Sequence, residues 1–550
     1  MSLISGDTIS ASAWIFRGTA LITFGILYLI YTREFTPLRN VPGPFLASIT
    51  KLWIVNKQRS FKRHEVDMEL HRNYGLIVRV APNEVMVSSP KAFRTIYGAG
   101  SGFKKGQWYI GVSDCGWSGP DSLDLLSEMN MEKYRAQRRA LGPAYTESFM
   151  RDIESNLDAA ITKNIGIMHQ RGGQSVDLDI FLNMFASDCL SMATFSKAKN
   201  LVELGEADES ILYIHRAWKY WHLAGYFPYM HRFVRWCNHG TSLALLKRMV
   251  KRLSPLLDGR DRTSKTSALP PEHAFAFPIK QIHQRMALRD DKKSPPAEEG
   301  QPTDIAAKLL RLQAEKGQLT DKWIMGMCMT NYGAGVETIG ITVSALVNNI
   351  VTHGCQERIH EELDSARKAG KLSNPPKLRE MKEHLPYLSA CLSESQRLHP
   401  GVGMPLLRTV PEGGCELEGH FLPAGTSIGI NLWVFSRNKE LYGEDADIWR
   451  PERWLEYSPE KLRYLGQSPT HSACISAHND SETYNVTFGT GARSCPGKYL
   501  AQAIYTKMIP LIFSEFEWNF TDPSADKVSQ CTFSVRFMKL MMQWRVREGK

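Results

Sequence analysis

Over most of the 550 residues, apolar positions recur at helical spacing, and strand-like alternation is confined to short runs. The longest helical pattern extends from Asp321 to His353, with Thr320 as N-cap and Gly354 as a C-terminal stop. At about 1.5 Å per residue it is roughly 50 Å long, enough to cross a whole domain. Its centre carries Gly333, Gly335 and Gly340, each costing up to about 1 kcal/mol against alanine. Glycines there mean either a group that must approach the backbone closely or tight packing against another helix. Short β-type runs at Ile77–Val80, Glu84–Val87 and Thr426–Ile430 predict a small sheet beside a mainly helical body.

Near the N-terminus the pattern changes. Ala11 to Tyr31 is apolar apart from Arg17; as a helix it spans about 31 Å, close to the ~30 Å hydrocarbon core of a bilayer. Asp7 precedes the run and Arg33 and Arg39 follow it. The positive-inside rule then predicts residues 1–10 in the lumen, a single transmembrane helix at 11–31 and a cytosolic body. A cleaved signal peptide would carry its basic residues mainly before the apolar run. Pro37, Pro42 and Pro44 make 32–44 a stiff spacer, which leaves 45–550 as one globular unit. The stretch Asp258 to Thr303, rich in Pro, Ser, Lys and Asp, reads as a surface excursion within that unit.

Composition narrows the class. Hydrophobic residues make up 43% and charged residues 23%, ordinary for a globular protein. The formal charge of +10 is a moderate bias on this length, suited to an acidic protein partner or an anionic membrane surface. No dense basic tract interleaved with aromatics occurs, which argues against nucleic acid. None of the ten cysteines is three residues from another, which excludes CxxC zinc, CxxC redox and CxxCH haem-attachment motifs. Their sparse spacing predicts free thiols in a reducing compartment. Gly425-Thr426-Ser427-Ile428-Gly429 matches a nucleophile elbow, but the following residues do not start a convincing helix. The sequons at Asn485 and Asn519 would stay unmodified in a cytosolic body.

The most informative stretch is Phe488-Gly489-Thr490-Gly491-Ala492-Arg493-Ser494-Cys495-Pro496-Gly497, followed by a helical pattern from Lys498. A lone cysteine on a glycine-rich turn before a helix N-terminus sits in a positive field that favours thiolate. Backbone N–H groups of such a loop can bond the sulfur. The residues match every fixed position of the cysteine-loop signature F-G-x-G-x-R-x-C-x-G. In this the chain resembles the haem-thiolate monooxygenases, the cytochrome P-450 family. Further elements agree. Glu394-Ser395-Gln396-Arg397 and Pro451-Glu452-Arg453-Trp454 are similar to the family's E-x-x-R helix and P-E-R-F element. Ala334-Gly335-Val336-Glu337-Thr338 resembles its distal A/G-G-x-D/E-T motif, with Ile339 where Thr or Ser is usual. Tyr134 and Arg138 match its aromatic-x-x-x-Arg spacing, and Arg408 lies shortly after the E-x-x-R helix.

The resemblance implies a P-450 fold, mainly α with a small β-sheet subdomain and one N-terminal membrane helix. Cys495 would be the axial ligand of haem b. Tyr134, Arg138, Gly335, Arg408, Phe488, Gly491, Arg493 and Gly497 would surround the cofactor, the arginines clamping its propionates. Gly335 would make room for dioxygen, and Thr338 and Glu337 would hold and relay protons. Glu394, Arg397 and Arg453 would form a buried structural triad. The aromatic stretch Tyr213 to Trp236 would roof a substrate channel and touch the bilayer, with core packing as the alternative. The implied reaction inserts one atom of O2 into a small lipophilic substrate. NADPH electrons would arrive through a separate flavoprotein reductase, or a cytochrome b-type donor, meeting a basic face that includes Arg139 and Lys498. The setting is the endoplasmic reticulum membrane and fungal secondary metabolism, in a pisatin demethylase-like group; detoxification of a phytoalexin or xenobiotic would use the same chemistry. A haem-thiolate isomerase or dehydratase, which commonly lacks the acid–threonine pair, and a non-catalytic haem sensor are the remaining readings.

Overall fold

The computed structural model describes residues 5–112, 123–239, 274–290, 303–465, 484 and 486–548. Seven helices are used most below: α1 (Ser5–Glu34), α2 (Met131–Leu141), α3 (Leu178–Phe195), α4 (Glu209–Ala224), α5 (Asp321–Thr352), α6 (Pro386–Leu398) and α7 (Lys498–Glu515). Besides a hairpin of Cys415–Leu417 and His420–Leu422, the strands are β1 (Ile77–Ala81), β2 (Glu84–Val87), β3 (Lys104–Lys105), β4 (Val176–Asp177), β5 (Arg408–Thr409), β6 (Ser427–Gly429), β7 (Phe516–Phe520), β8 (Val528–Cys531), β9 (Val535–Met538) and β10 (Met541–Val546). The architecture is mostly helical with small sheets, as the patterning predicts.

All three predicted β runs fall in one five-stranded sheet of order β1-β2-β6-β5-β3. Here β2 and β6 are parallel (Val85 opposite Ile428), while β6–β5 and β5–β3 are antiparallel. That register sets Arg408 opposite Lys105 on one side and Ile428 on the other. Ser427 of the elbow-like motif is a sheet residue, its N–H bonded to the Asn83 carbonyl. The helix that follows is only Leu432–Phe435.

Helix α5 begins where its cap predicts: the Thr320 hydroxyl accepts from the Trp323 N–H at 3.2 Å. It ends before Gly354, whose φ of +64° favours glycine. Among the described residues it is long and apolar enough to cross a membrane, yet 72% of its most apolar stretch is buried in the protein. Its glycines explain part of that burial. A Cβ at Gly340 would lie 2.3 Å from Asn183 Oδ1 and 3.2 Å from Asn183 N on α3, and one at Gly335 would lie 2.9 Å from Leu190 Cδ1. The direction in which a side chain at either glycine would point is thus occupied by α3, and the two helices pack closely along them.

Two expectations about segments also change. Residues 32–44 are a docked strap, since Leu38 and Val41 are buried. The buried Arg79 guanidinium of β1 donates to the carbonyls of Thr32, Leu38 and Pro82 and to the Thr36 hydroxyl. Within Asp258 to Thr303, Ala276–Asp290 is a helix with Ile282 and Met286 buried, held by Arg285–Asp304 at 2.7 Å. Residues 258–273 and 291–302 lie outside the described residues, as does Asn485. In the aromatic stretch, Trp218, Trp221 and Tyr226 are buried whereas Tyr229 and Phe233 are exposed, so core packing and surface presentation divide it.

Glu394, Arg397 and Arg453 meet in the core, together with further partners. The Glu394 carboxylate pairs with Arg397 at 2.7 Å and Arg453 at 3.0 Å, all three side chains 1% exposed or less. It also accepts from the Trp454 indole at 2.9 Å and the Arg450 N–H at 2.9 Å. Arg397 in turn donates to the carbonyls of Ser436, Ala446 and Ile448, and Arg453 to those of Tyr442 and Asp445. Every strong donor finds an acceptor, the condition under which buried charge is tolerated.

Trp454→Phe keeps the ring but removes a hydrogen bond to a charged group; it should cost about 1.5–3 kcal/mol, read from the urea midpoint of unfolding. Gly340→Ala should destabilise by about 1–3 kcal/mol through overpacking against α3. Gly333→Ala, whose Cβ would meet only Ile214 at 3.7 Å, should instead be neutral or gain up to about 1 kcal/mol by the same assay.

Candidate functional site

The cysteine loop is closed by the Cys495 N–H donating to the Phe488 carbonyl at 2.8 Å and the Ser494 N–H to the Gly491 carbonyl at 3.1 Å. Gly489 and Gly491 have φ of +70° and +64°. At Gly491 a Cβ would stand 2.5 Å from the Tyr97 carbonyl oxygen, so glycine is demanded by both conformation and space. The loop leads directly into α7, with Gly497 at its N-cap. Cys495 opens on accessible space, while the other described cysteines are buried or half-buried, and all are free thiols. Protein is nevertheless dense around the sulfur: burial is the largest influence and pushes the thiol up, while the Gly497 N–H, Arg138 and Lys498 pull it down.

Beside the loop, α2 presents Tyr134 and Arg138 on one face. The Tyr134 hydroxyl donates to the Ala492 carbonyl at 3.0 Å. Arg138 donates to the Ser494 carbonyl at 2.6 Å and to its hydroxyl at 3.3 Å, one residue from Cys495. Arg493 lies over the Tyr134 ring at 3.7 Å and donates to Met131 Sδ at 3.0 Å. Its Nη1 is buried without a hydrogen-bond partner. From the sheet, Arg408 lies over the Tyr97 ring at 5.0 Å and donates to the Leu407 carbonyl at 3.0 Å.

A fourth cation, absent from the sequence reading, joins them. Lys105 is buried, donates to the Leu126 carbonyl and lies over the Tyr109 ring at 4.2 Å. Burial lowers its proton affinity most, followed by the charges of Arg408 and Arg493. None of the named hydrogen-bond and ring partners of these four side chains is an anion. A cationic cluster, two of its members buried and two half-buried, with an unsatisfied guanidinium nitrogen fits a ligand bearing carboxylates, such as the two propionates of haem. Only the β3–β5 register could have revealed Lys105.

On α5, Ala334 is exposed and Thr338 half-buried, whereas Glu337 and Ile339 are buried. The Thr338 hydroxyl donates to the Ala334 carbonyl at 2.7 Å. Glu337 is 3% exposed, and burial raises its pKa to about 7. Asn331 belongs to the core: it accepts from Tyr145 at 2.8 Å and donates to Thr194 at 3.3 Å. Phe488 lines a small groove with Met381, Lys382, Ser393, Gln396 and Gln502, on the side where α6 and α7 approach the loop.

Comparison with known proteins agrees with this geometry. The family model described as cytochrome P-450 matches residues 42–544. A cytochrome P-450 monooxygenase of Sordaria araneosa, sdnT, is 30% identical, covering 89% of this chain and 87% of its own length. Pisatin demethylase of Fusarium vanettenii is 29% identical over 94% of this chain and 90% of its own. A solved cytochrome P-450 chain superposes with a TM-score of 0.63 at 18% identity, covering 88% of this chain and 94% of the other. The chain therefore belongs to the cytochrome P-450 family: it is an oxidoreductase, a monooxygenase that works with haem b, dioxygen and NADPH-derived electrons delivered by a redox partner.

Proposed function

We propose that this protein is a membrane-anchored monooxygenase of fungal secondary metabolism in which Cys495 is the axial thiolate ligand of the haem iron. The observation that carries the assignment is the placement of one accessible cysteine, on a glycine-braced loop, beside buried and half-buried cations whose named hydrogen-bond and ring partners are uncharged. Bound there, haem supplies dioxygen activation and transfer of one oxygen atom to a C–H or C=C bond of a lipophilic substrate. The loop's closing bonds hold Cys495 in place, and the Gly497 N–H donates toward its sulfur. Arg138, Arg408 and Arg493, with Lys105 and Tyr134, hold the propionates; Phe488 shields the sulfur from water. Thr338 offers a hydroxyl on the open side of α5, and Glu337 holds a proton near neutral pH. Ile339 adds no polar atom to this pair. The likeness to pisatin demethylase extends the reading to oxidative demethylation, in which the attacked C–H belongs to a methyl group.

The anchor is α1. Its described apolar side chains stay exposed, among them Phe16 at 74%, Leu21 at 73% and Phe24 at 71%, as a lipid-facing helix requires. Placement in the endoplasmic reticulum membrane with the body in the cytosol follows from the charges flanking it. Exposed Arg139 and neighbouring Lys498, on the cysteine side, suit docking of an acidic NADPH-dependent flavoprotein reductase.

Cys495→Ser should abolish the thiolate-type spectrum of the reduced carbon monoxide complex; retention of that spectrum would remove Cys495 from the ligand position. Deleting residues 1–31 keeps the Arg79 clasp on Thr32 and Thr36. The truncated chain should move from the carbonate-resistant membrane pellet to the soluble or peripheral fraction, and persistence in the pellet would count against α1 as the anchor.

A further inference from the structure

Behind α5, on the side facing away from Ala334, lies a buried polar neighbourhood that the reading above does not use. Asp179 of α3 is 1% exposed and Glu337 is 3% exposed. The Arg536 guanidinium of β9 donates to a single Asp179 oxygen twice, at 2.8 and 3.1 Å. Asn183, one turn along α3, donates to the same oxygen at 3.3 Å and abuts Gly340, one turn along α5 from Glu337. Three oxygens here have no hydrogen-bond donor: Glu337 Oε1, Asp179 Oδ1 and Asn183 Oδ1.

Two carboxylates thus share one guanidinium in a place without water's dielectric. Both cannot be ionised at ordinary cost. Asp179 has the direct contact with Arg536 and takes the charge. Glu337 then keeps a proton. The charges acting on Glu337 agree with this: after burial, Arg536 pulls its pKa down and Asp179 pushes it up. From α4, Trp218 contacts the Glu337 carboxyl, and His215, one turn earlier, is kept neutral by burial and by Arg536. Two residues before Asp179, the half-exposed Asp177 of β4 also has an unpaired buried oxygen and feels both Asp179 and Arg536.

We propose that Asp179 and Arg536 are positioning residues that set the protonation state of Glu337, and that Asp177 is the solvent-side carboxylate through which Glu337 recovers its proton. The proposal rests on the proton-holding role given to Glu337 above. For each proton that leaves Glu337, one proton is taken from water at Asp177 and passed through Asp179. Both aspartates end the cycle as carboxylates, and the net transfer is one proton from solvent to Glu337.

Difference infrared spectroscopy of the haem-loaded protein tests this. The carboxylic-acid C=O band lost in Glu337→Gln identifies the group, and in the unaltered protein that band should titrate near pH 7. Arg536→Gln removes a charge that favours ionisation and should raise the midpoint by about one pH unit, a tenfold change in proton affinity. Asp179→Asn removes a charge that opposes ionisation and should lower it by a similar amount. Arg536→Lys and Asp179→Glu, which keep the charges, should leave it near the starting value. Asp177→Asn should keep the midpoint but enlarge the solvent deuterium effect on product formation; an unchanged effect rejects Asp177 as the entry point. Midpoints that stay put, or shift in the same direction in both charge-removing variants, overturn the proposal. If those two variants fail to fold, absence of the Glu337 acid band below neutral pH overturns it instead. Loss of product per electron pair in Glu337→Gln separates the two levels. If coupling is intact, the role of Glu337 itself fails; if it is lost while the midpoints do not move, only the Asp179–Arg536 assignment fails.

Discussion

A charge taken out of water must meet its opposite, gain several hydrogen bonds or change its protonation state, and this constraint organises the interior of the protein. Glu394 shows the first solution. Two guanidiniums, an indole and a backbone N–H all converge on its carboxylate, while the same guanidiniums bond the carbonyls of the segment from Ser436 to Ile448. One buried anion thereby ties α6 to a long irregular stretch that has little secondary structure of its own.

The cations beside the cysteine loop are the complementary case. Arg138, Arg408, Arg493 and Lys105 use carbonyls, hydroxyls, sulfur and ring faces as partners, and one guanidinium nitrogen remains unsatisfied. Such a cluster is poorly matched to its own protein and well matched to an anionic cofactor. Glu337 shows a third outcome, in which burial raises the pKa of a carboxyl into the neutral range. The Cys495 thiol, also pushed up by burial, lies between the cations and the start of α7. The chemistry of a haem-thiolate site thus corresponds to where the fold leaves charge unbalanced.

Rigidity comes from close backbone approach. Gly340 and Gly335 bring α5 against α3, and Gly491 brings the cysteine loop against the Tyr97 carbonyl. These contacts hold in place α5, which carries Ala334 and Thr338, and the loop that carries Cys495. Exposed α1 and the docked strap after it are a separate device, joined to the sheet through Arg79.

Much of this was legible in the residue order. Periodicity and caps located α5 almost to the residue, short β-branched runs located the first sheet, and local motifs singled out Cys495, Glu394, Arg397 and Arg453, because these features depend on neighbours a few positions away. What the sequence left open depends on partners hundreds of residues apart. The β3–β5 register places Lys105 beside Arg408, and the packing of α3 on α5 places Gly335 and Gly340 at a helix contact. Trp454 became a ligand of the Glu394 carboxylate, and the meeting of Asp179, Arg536 and Glu337 exists only because α3, β9 and α5 converge. Local pattern decides which residues can form an element, since spacing is read along one chain. Burial and charge compensation are decided by what the folded chain brings next to them, and only the tertiary structure supplies that.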